Sequence, residues 1–418
     1  MSTDSPTVRD GRDEDEVAAR GYDPFDYRVH DDPYPFYAWM REHAPLYRNE
    51  SRDFWALSRH ADVKAALRDP RRFSNVNGIS LESELWGPRA VQTSLFLAMD
   101  PPQHGAYRGV VSSAFTPGRV AALEPRIRQL ARERLVPLRD QPRFDFAADF
   151  AAGLPNDVTC EMLGVPAADW DQIRADADQL NQRGDGSDDR GPDSVAAALR
   201  MAEYFVDLVQ DLRRSPQEDL TSVMIRAEVN GEKLSDAEVV GFLFLMITAG
   251  NESTGKTLGN AWHHGARLPD VQRAGLNGRA ADWSRETLRY DSASQMTART
   301  LVADTVIHGT ALPAGARIVI LPASANRDHR VFGDPDRFDL DRDSGSRMIS
   351  FGHGPHHCIG SALALLVMRI GLEEVGALVS GYEIDTANAR RIHSPHQRGF
   401  ASLPCAVTHR PRAGTTDA

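Results

Sequence analysis

The sequence predicts a mainly α-helical protein with small β-sheets at its periphery, gathered in one integrated body, and three observations carry that expectation. Ser235-Asp236-Ala237-Glu238 is a capping box, and the run behind it can stay helical to about Ala266 before Pro269 forbids continuation. A helix of that length crosses a whole domain. Strand signals are confined to short pieces, TVIH at 305–308 and ARIVIL at 316–321, joined through Gly309 and the turn Pro313-Ala314-Gly315. Finally, a chain of 418 residues that is 41% hydrophobic can bury a sizeable core.

In chain order, residues 1–20 are polar and acid-rich with no apolar signal region, so they read as a tail and neither as a secretory signal nor as a membrane anchor. RVAALEPRIRQLARER at 119–134 carries Arg119, Arg126, Arg128, Arg132 and Arg134 on a helical pattern. The polar loop at 181–194 separates two further helical patterns. VVGFLFLMI at 239–247 is well short of the roughly 20 residues a membrane span requires and reads as a buried helix. No repeat of fixed period is present. The body is expected at residues 21–410, with a second short tail at 411–418, in the cytoplasm.

Lys and Arg number 48 against 59 Asp and Glu, and a formal net charge of −11 argues against general nucleic-acid binding, which needs a basic footprint. Cys160, Cys358 and Cys405 lie far apart and form no CxxC pair, which points to a reducing compartment without a disulfide framework. Cys160 and Cys405 read as small buried hydrophobes.

Cys358 stands apart. It lies in FGHGPHHCIG at 351–360, with His353, His356 and His357, and the run IGSALALLVMRIGLEEVGALVSGY behind it has helical periodicity. At a helix N-terminus the unpaired amides and the dipole favour an anion, so the thiol pKa is expected to fall. Gly352, Gly354 and Gly360 would let the loop close tightly around the sulfur and approach a flat partner. Three chemistries compete for such a cysteine. A zinc site wants four nitrogen or sulfur ligands, and no second pair stands at suitable spacing. A nucleophile wants a histidine base and an orienting partner, and the partner is not evident. A haem wants one axial thiolate.

The pattern F-x-x-G-x-H-x-C-x-G, here Phe351, Gly354, His356, Cys358 and Gly360, resembles the haem-ligand loop of the cytochrome P-450 monooxygenases. Further matches follow in family order: DPPQHGAYRGVVSSAFTP at 100–117, AGNEST at 249–254, ETLR at 286–289, then SANRD and DPDRF. The resemblance implies the cytochrome P-450 fold, with haem b between a long central helix and the cysteine loop and with Cys358 as iron ligand. It implies propionate contacts at His104, Arg108, Arg299 and His356. It also makes Glu286 and Arg289 a buried structural pair, with Arg337 as third member.

By the same resemblance AGNEST lines the oxygen side, with Glu252 and Ser253 as proton relay and Thr254 beside them. Serine stands where threonine is usual. Independently of the family, hydroxyls at mid-helix can bond the preceding turn and open the ladder into a groove. The resemblance further implies a substrate pocket along 76–97, around 167–214, from Leu243 to Ala249, from Ser292 to Thr297 with Ser294 and Met296, and at Phe400, which suits a small or medium lipophilic molecule.

The activity implied is insertion of one atom of dioxygen into that molecule, with electrons from NAD(P)H through a ferredoxin reductase and a ferredoxin docking on the arginines of 119–134. Neither a membrane nor a nucleic acid is an expected partner. Alternatives on the same scaffold are oxidative coupling, nitration or peroxide-driven oxidation, and a non-catalytic haem sensor.

Overall fold

In the computed structural model, which describes residues 17, 19, 21–82, 85–180, 183–184, 186–187 and 191–411, one long helix organises the rest. It spans Asp236–Arg267, and both halves of its capping box form: Ser235 Oγ accepts from the Glu238 amide at 3.3 Å, and Glu238 Oε2 from the Ser235 amide at 2.8 Å. Pro269 then opens the next helix, Pro269–Leu276. The expected tails at 1–20 and 411–418 lie almost entirely outside the described residues, as does half of the 181–194 loop.

The long helix serves two cores in succession. Its first half packs Val239, Phe242, Leu243 and Ile247 against Phe96, Leu163, Phe205 and Met224. Its second half packs Leu258, Ala261 and Trp262 against Phe146, Leu154, Trp283 and Val375. Each large side chain fully buried this way contributes roughly 1.5–3 kcal/mol. Between the two cores Ala249 and Gly250 are exposed, while Glu252, Thr254, Lys256 and Thr257 are buried. The site lies at this change of core.

Among the described residues two sheets of three or more strands and three two-stranded ribbons accompany the helices. The larger orders its strands Leu46–Asn49, Phe54–Leu57, Arg317–Ile320, Thr297–Leu301 and Phe73–Ser74, all antiparallel except that Arg317–Ile320 runs parallel to Phe54–Leu57. Its register sets Arg299 opposite Ile318, and strand alternation turns Arg299 away from Ala298 and Thr300. The smaller sheet joins Val379–Ile384, Pro404–His409 and Arg143–Asp145.

Two expectations need correction. The helix behind the cysteine ends at Leu378, and Val379–Tyr382 belongs to a strand, held by pairing to Pro404–His409. The arginine-rich run is two helices, Pro117–Ala122 and Glu124–Leu135, because Pro125 cannot continue the first and starts the second. Among the described residues no helix is long and apolar enough to cross a membrane.

Candidate active site

Cys358 lies between the turn Gly354–His356 and the helix Ser361–Leu378. Its amide donates to the Phe351 carbonyl at 2.8 Å, and Gly352 and Gly354 adopt φ of 70° and 72°. A Cβ on Gly354 would stand 2.6 Å from the Leu67 carbonyl oxygen, so the loop is pressed onto the helix His60–Arg68. Gly360 is different: its φ is −84° and no atom lies within 4 Å of where a Cβ would be. Within the protein nothing demands glycine there, and open ground remains beside the sulfur.

Gly360 is the N-cap of Ser361–Leu378, which puts Cys358 two residues before the cap. The expected lowering of the thiol pKa is not found. Burial pushes it up, and the Gly360 amide and Arg108, which favour the thiolate, do not offset this. Cys358 has exposed surface yet protein on all sides, so it occupies a recess, and crowding rather than surface area decides its charge. Across the recess, apolar residues Ala362–Leu366 in the first turns of the helix are only half-buried.

Four basic groups converge beside this recess. His104 and His356 have ring centroids 4.0 Å apart, and Arg108 Nη2 donates to the His357 carbonyl at 2.7 Å. Burial, reinforced by Arg299, His104 and Arg108, pushes His356 down to about 2. Arg299 is buried, donates among the described residues to Thr297 Oγ1 and the Ala298 carbonyl alone, and is pushed down to about 10 by desolvation, with Asp100 a weaker attraction. His104 Nε2 and both ring nitrogens of His356 lack a hydrogen bond of ordinary geometry, although the Met99 carbonyl lies near enough to His356 to favour its charged form. Among the described residues neither Arg299 nor Arg108 has a carboxylate in ion-pair contact. Cationic and imidazole groups collected in this way form a receptor for an anion.

On the long helix, Glu252 is buried and desolvation pushes it up to about 8, against Lys256 and with Asp178. Ser253 is half-exposed and its Oγ donates to the Ala249 carbonyl at 3.2 Å, while Thr257 Oγ1 donates to the Ser253 carbonyl at 2.7 Å. The hydroxyls do bond the preceding turn, but the helix stays continuous through 249–254, so the expected opening of the ladder is absent. Thr254 is buried one position further round, away from the half-exposed Ser253.

Glu286 and Arg289 pair as expected, with Nε on Oε2 at 2.9 Å and Nη2 on Oε1 at 2.6 Å, both side chains buried on the helix Ala280–Tyr290. The third partner is a correction. The Arg337 side chain is exposed, and the residue gives the pair only its carbonyl, which accepts from Arg289 Nη2 at 3.1 Å. Arg342 Nε instead donates to Glu286 Oε1 at 3.2 Å.

The arginines expected to dock a carrier are mostly ion-paired within the protein. Arg126 pairs with Glu161, Arg128 with Glu124, Glu373 and Glu374, Arg132 with Glu374, and Arg134 with Asp157 and Asp171. Their charge holds helices together. Of the five, Arg119 alone is exposed without an ion pair among the described residues.

The expected pocket residues belong to different parts of the packing. Leu243 is in the first core, Met296 packs with Tyr22 and Phe54 in a separate cluster, and Phe400 sits between His263 and Arg391. Ser294 bridges Gln397, and Ala249 alone is exposed beside Ser253. Arg342 and Lys256 escaped the sequence reading, because their partners Glu286 and Asp178 lie 56 and 78 residues away.

Comparison with known proteins agrees with this geometry. The family model described as cytochrome P-450 matches residues 284–404. A protein designated cytochrome P-450 123 of Mycobacterium tuberculosis is 45% identical over 392 residues, covering 93% of this chain and 97% of its own. The cyclomarin C epoxidase of Salinispora arenicola is 34% identical over 382 residues, covering 88% and 94%. Among solved structures, a mutant of EryK in complex with erythromycin B is similar with a TM-score of 0.82 at 31% identity, covering 96% of this chain and 99% of that one. The chain is a member of the cytochrome P-450 family, haem-thiolate monooxygenases that use dioxygen and an organic substrate.

Proposed function

We propose that residues 21–410 form one catalytic unit that binds haem b through Cys358 and inserts one atom of dioxygen into a small lipophilic molecule. The observation that carries this reading is the meeting of His104, Arg108, Arg299 and His356, with no carboxylate among the described residues in contact with either arginine, beside the recess that holds Cys358. The donor set fits the group: two propionates would answer the buried His104 and Arg299 and the half-buried Arg108 and His356, the open ground at Gly360 would admit a flat ring, and the half-buried apolar turn after it would cover one face.

When bound, the haem supplies reductive activation of dioxygen, and its thiolate ligand favours cleavage of the O–O bond. The chain's own residues do the rest. The tight loop fixes Cys358 in place, its amide held by the Phe351 carbonyl. Arg299 and His356 orient the ring through its propionates. Glu252 holds a proton near neutrality because desolvation brings its carboxyl to about 8, and Ser253 presents a hydroxyl on the half-exposed side of the helix. Epoxidation falls within this reading, since the similar protein from Salinispora arenicola is named as an epoxidase.

Electrons are proposed to come from NAD(P)H through a ferredoxin reductase and a ferredoxin, in the cytoplasm. The surface that suits an acidic carrier is not the paired arginines of Glu124–Leu135 but the group around the cysteine loop. There Lys64 and Arg68 lie near His353 and make no ion pair among the described residues.

The test is turnover of purified holoenzyme with these donors and labelled dioxygen across a panel of lipophilic compounds. One labelled oxygen atom in the product supports the reading. Product formed equally well without reductant or dioxygen overturns it.

A further inference from the structure

Glu252 does not face the same surroundings as its neighbour Ser253. A narrow cleft opens between the helices Trp170–Leu180 and Asp236–Arg267, lined by Arg174, Ala177, Asp178, Gly255 and Lys256 together with Glu252. Exposure rises outward along it: the Lys256 side chain is 6% exposed and that of Asp178 32%. Lys256 Nζ donates to Asp178 Oδ1 at 3.2 Å, and Arg174 stands 3.8 Å from the other oxygen of the same carboxylate. Lys256 also follows Glu252 by one helical turn and so lies on its face.

The walls of this cleft are fixed. A Cβ on Gly255 would come within 2.7 Å of the Ala151 carbonyl, and one on Gly399 within 2.5 Å of Lys256 Cβ. The turn carrying Glu252 and Lys256 is therefore clamped from two sides, and the lysine stem has little freedom except at its tip. Two further charges that act on Glu252, Arg183 and Glu82, pair with each other, and Glu82 also meets Ser80 at 2.7 Å and His396 at 3.3 Å.

We infer that protons for oxygen activation enter through this cleft, and that Lys256, shared between Asp178 and Glu252, is a positioning residue that sets the charge of Glu252. The inference rests on the proposed role of Glu252 as proton donor. A proton passes from water at Asp178 to the Glu252 carboxylate and leaves it on the Ser253 side. With Lys256 held by Asp178, Glu252 keeps its proton; with Lys256 swung toward Glu252, the carboxylate is favoured and recharges from the cleft. Burial, which outweighs the attraction of Lys256 and holds Glu252 at about 8, poises the group for such a small change to matter.

The test is a pH titration of the Glu252 carboxyl band in holoenzyme by difference infrared spectroscopy, the band being assigned by its loss in Glu252→Gln. Lys256→Met should raise the midpoint by about one pH unit or more, by removing the nearest cation. Asp178→Asn should lower it, by removing a like charge and releasing Lys256. The pH profile of oxygen consumption should move with the midpoint in each variant.

An unmoved midpoint, or a shift in one direction for both variants, overturns the inference, as does a profile that ignores the midpoint. If Lys256→Met does not fold, the one-third-exposed Asp178→Asn decides. Failure of the haem reading shows separately, as loss of the thiolate spectrum in the wild type, while the titration still answers.

Discussion

Arg342 Nε donates to Glu286 Oε1 at 3.2 Å, so Glu286 holds two guanidiniums, Arg289 from its own helix and Arg342 from the loop beyond. The Asp339 amide adds a third donor at 3.0 Å. A buried carboxylate needs this company, because each unsatisfied partner costs about 1–3 kcal/mol.

Arg342→Ala should therefore destabilise the protein by about 1–3 kcal/mol in urea unfolding, and Arg289→Ala by about 3–5 kcal/mol, since it strands the buried carboxylate. Arg337→Ala, at an exposed side chain whose carbonyl survives the change, should cost less than about 0.5 kcal/mol. Equal losses at 337 and 342 would return Arg337 to the pair.

Arg299 gives a prediction of opposite signs. In the haem-free protein Arg299→Gln removes a buried cation that has no carboxylate in contact, and should leave stability unchanged or raise it. In the holoprotein the same change should speed haem transfer to a scavenging globin about tenfold or more, the equivalent of about 1.4 kcal/mol. Retention of haem at the wild-type rate would remove Arg299 from the site.

His263 predicts acid sensitivity. It lies under Phe400 with ring centroids 4.9 Å apart and Nδ1 unpartnered, and burial, with His264 and Arg391, lowers it from 6.5 to about 3. The unfolded chain thus binds a proton between about pH 6.5 and 3 that the folded protein refuses. Stability falls as pH drops through that window, at up to about 1.4 kcal/mol per unit for one proton. His263→Gln should flatten the slope by up to that amount, read from unfolding midpoints at several pH values; an unchanged slope would show that His263 is not responsible.

How much of this was legible in the sequence differs with the distance over which each feature is fixed. The capping box at Ser235, the helix it opens, and the tight loop around Cys358 depend on neighbours within a few residues, and local chemistry carried them. The splitting of 119–134 at Pro125 was visible in principle, but the arginine spacing drew the reading toward one helix. Arg342 in place of Arg337, and Lys256 bridging to Asp178, are tertiary facts. So is the raised Cys358 thiol, where desolvation by distant segments outweighs the local helix end. The pairing of the arginines at 126, 128, 132 and 134 with Glu161, Glu373, Glu374 and Asp157 is likewise fixed by segments remote in the chain.

Ser253 concerns coupling. Its Oγ now bonds the Ala249 carbonyl at 3.2 Å and must turn from it to restrain oxygen, and serine lacks the methyl that stiffens χ1 in threonine. Ser253→Ala should keep oxygen consumption substantial while diverting it to peroxide. Ser253→Thr should hold or improve the ratio of product to nicotinamide oxidised, and Glu252→Gln should slow consumption and product together. The check is one assay following nicotinamide, peroxide and product. If Ser253→Ala couples as well as wild type, the hydroxyl has no part in activation.

The central claim is that Cys358 holds the haem as thiolate, even though burial in the protein alone raises its pKa. The most direct measurement is the absorption spectrum of the reduced carbon monoxide complex of purified holoprotein, for wild type, Cys358→Ala and His356→Ala. Thiolate ligation predicts a strongly red-shifted Soret band in the wild type, present in His356→Ala and lost in Cys358→Ala. A wild type without that band, or a band that survives in Cys358→Ala, would contradict the account.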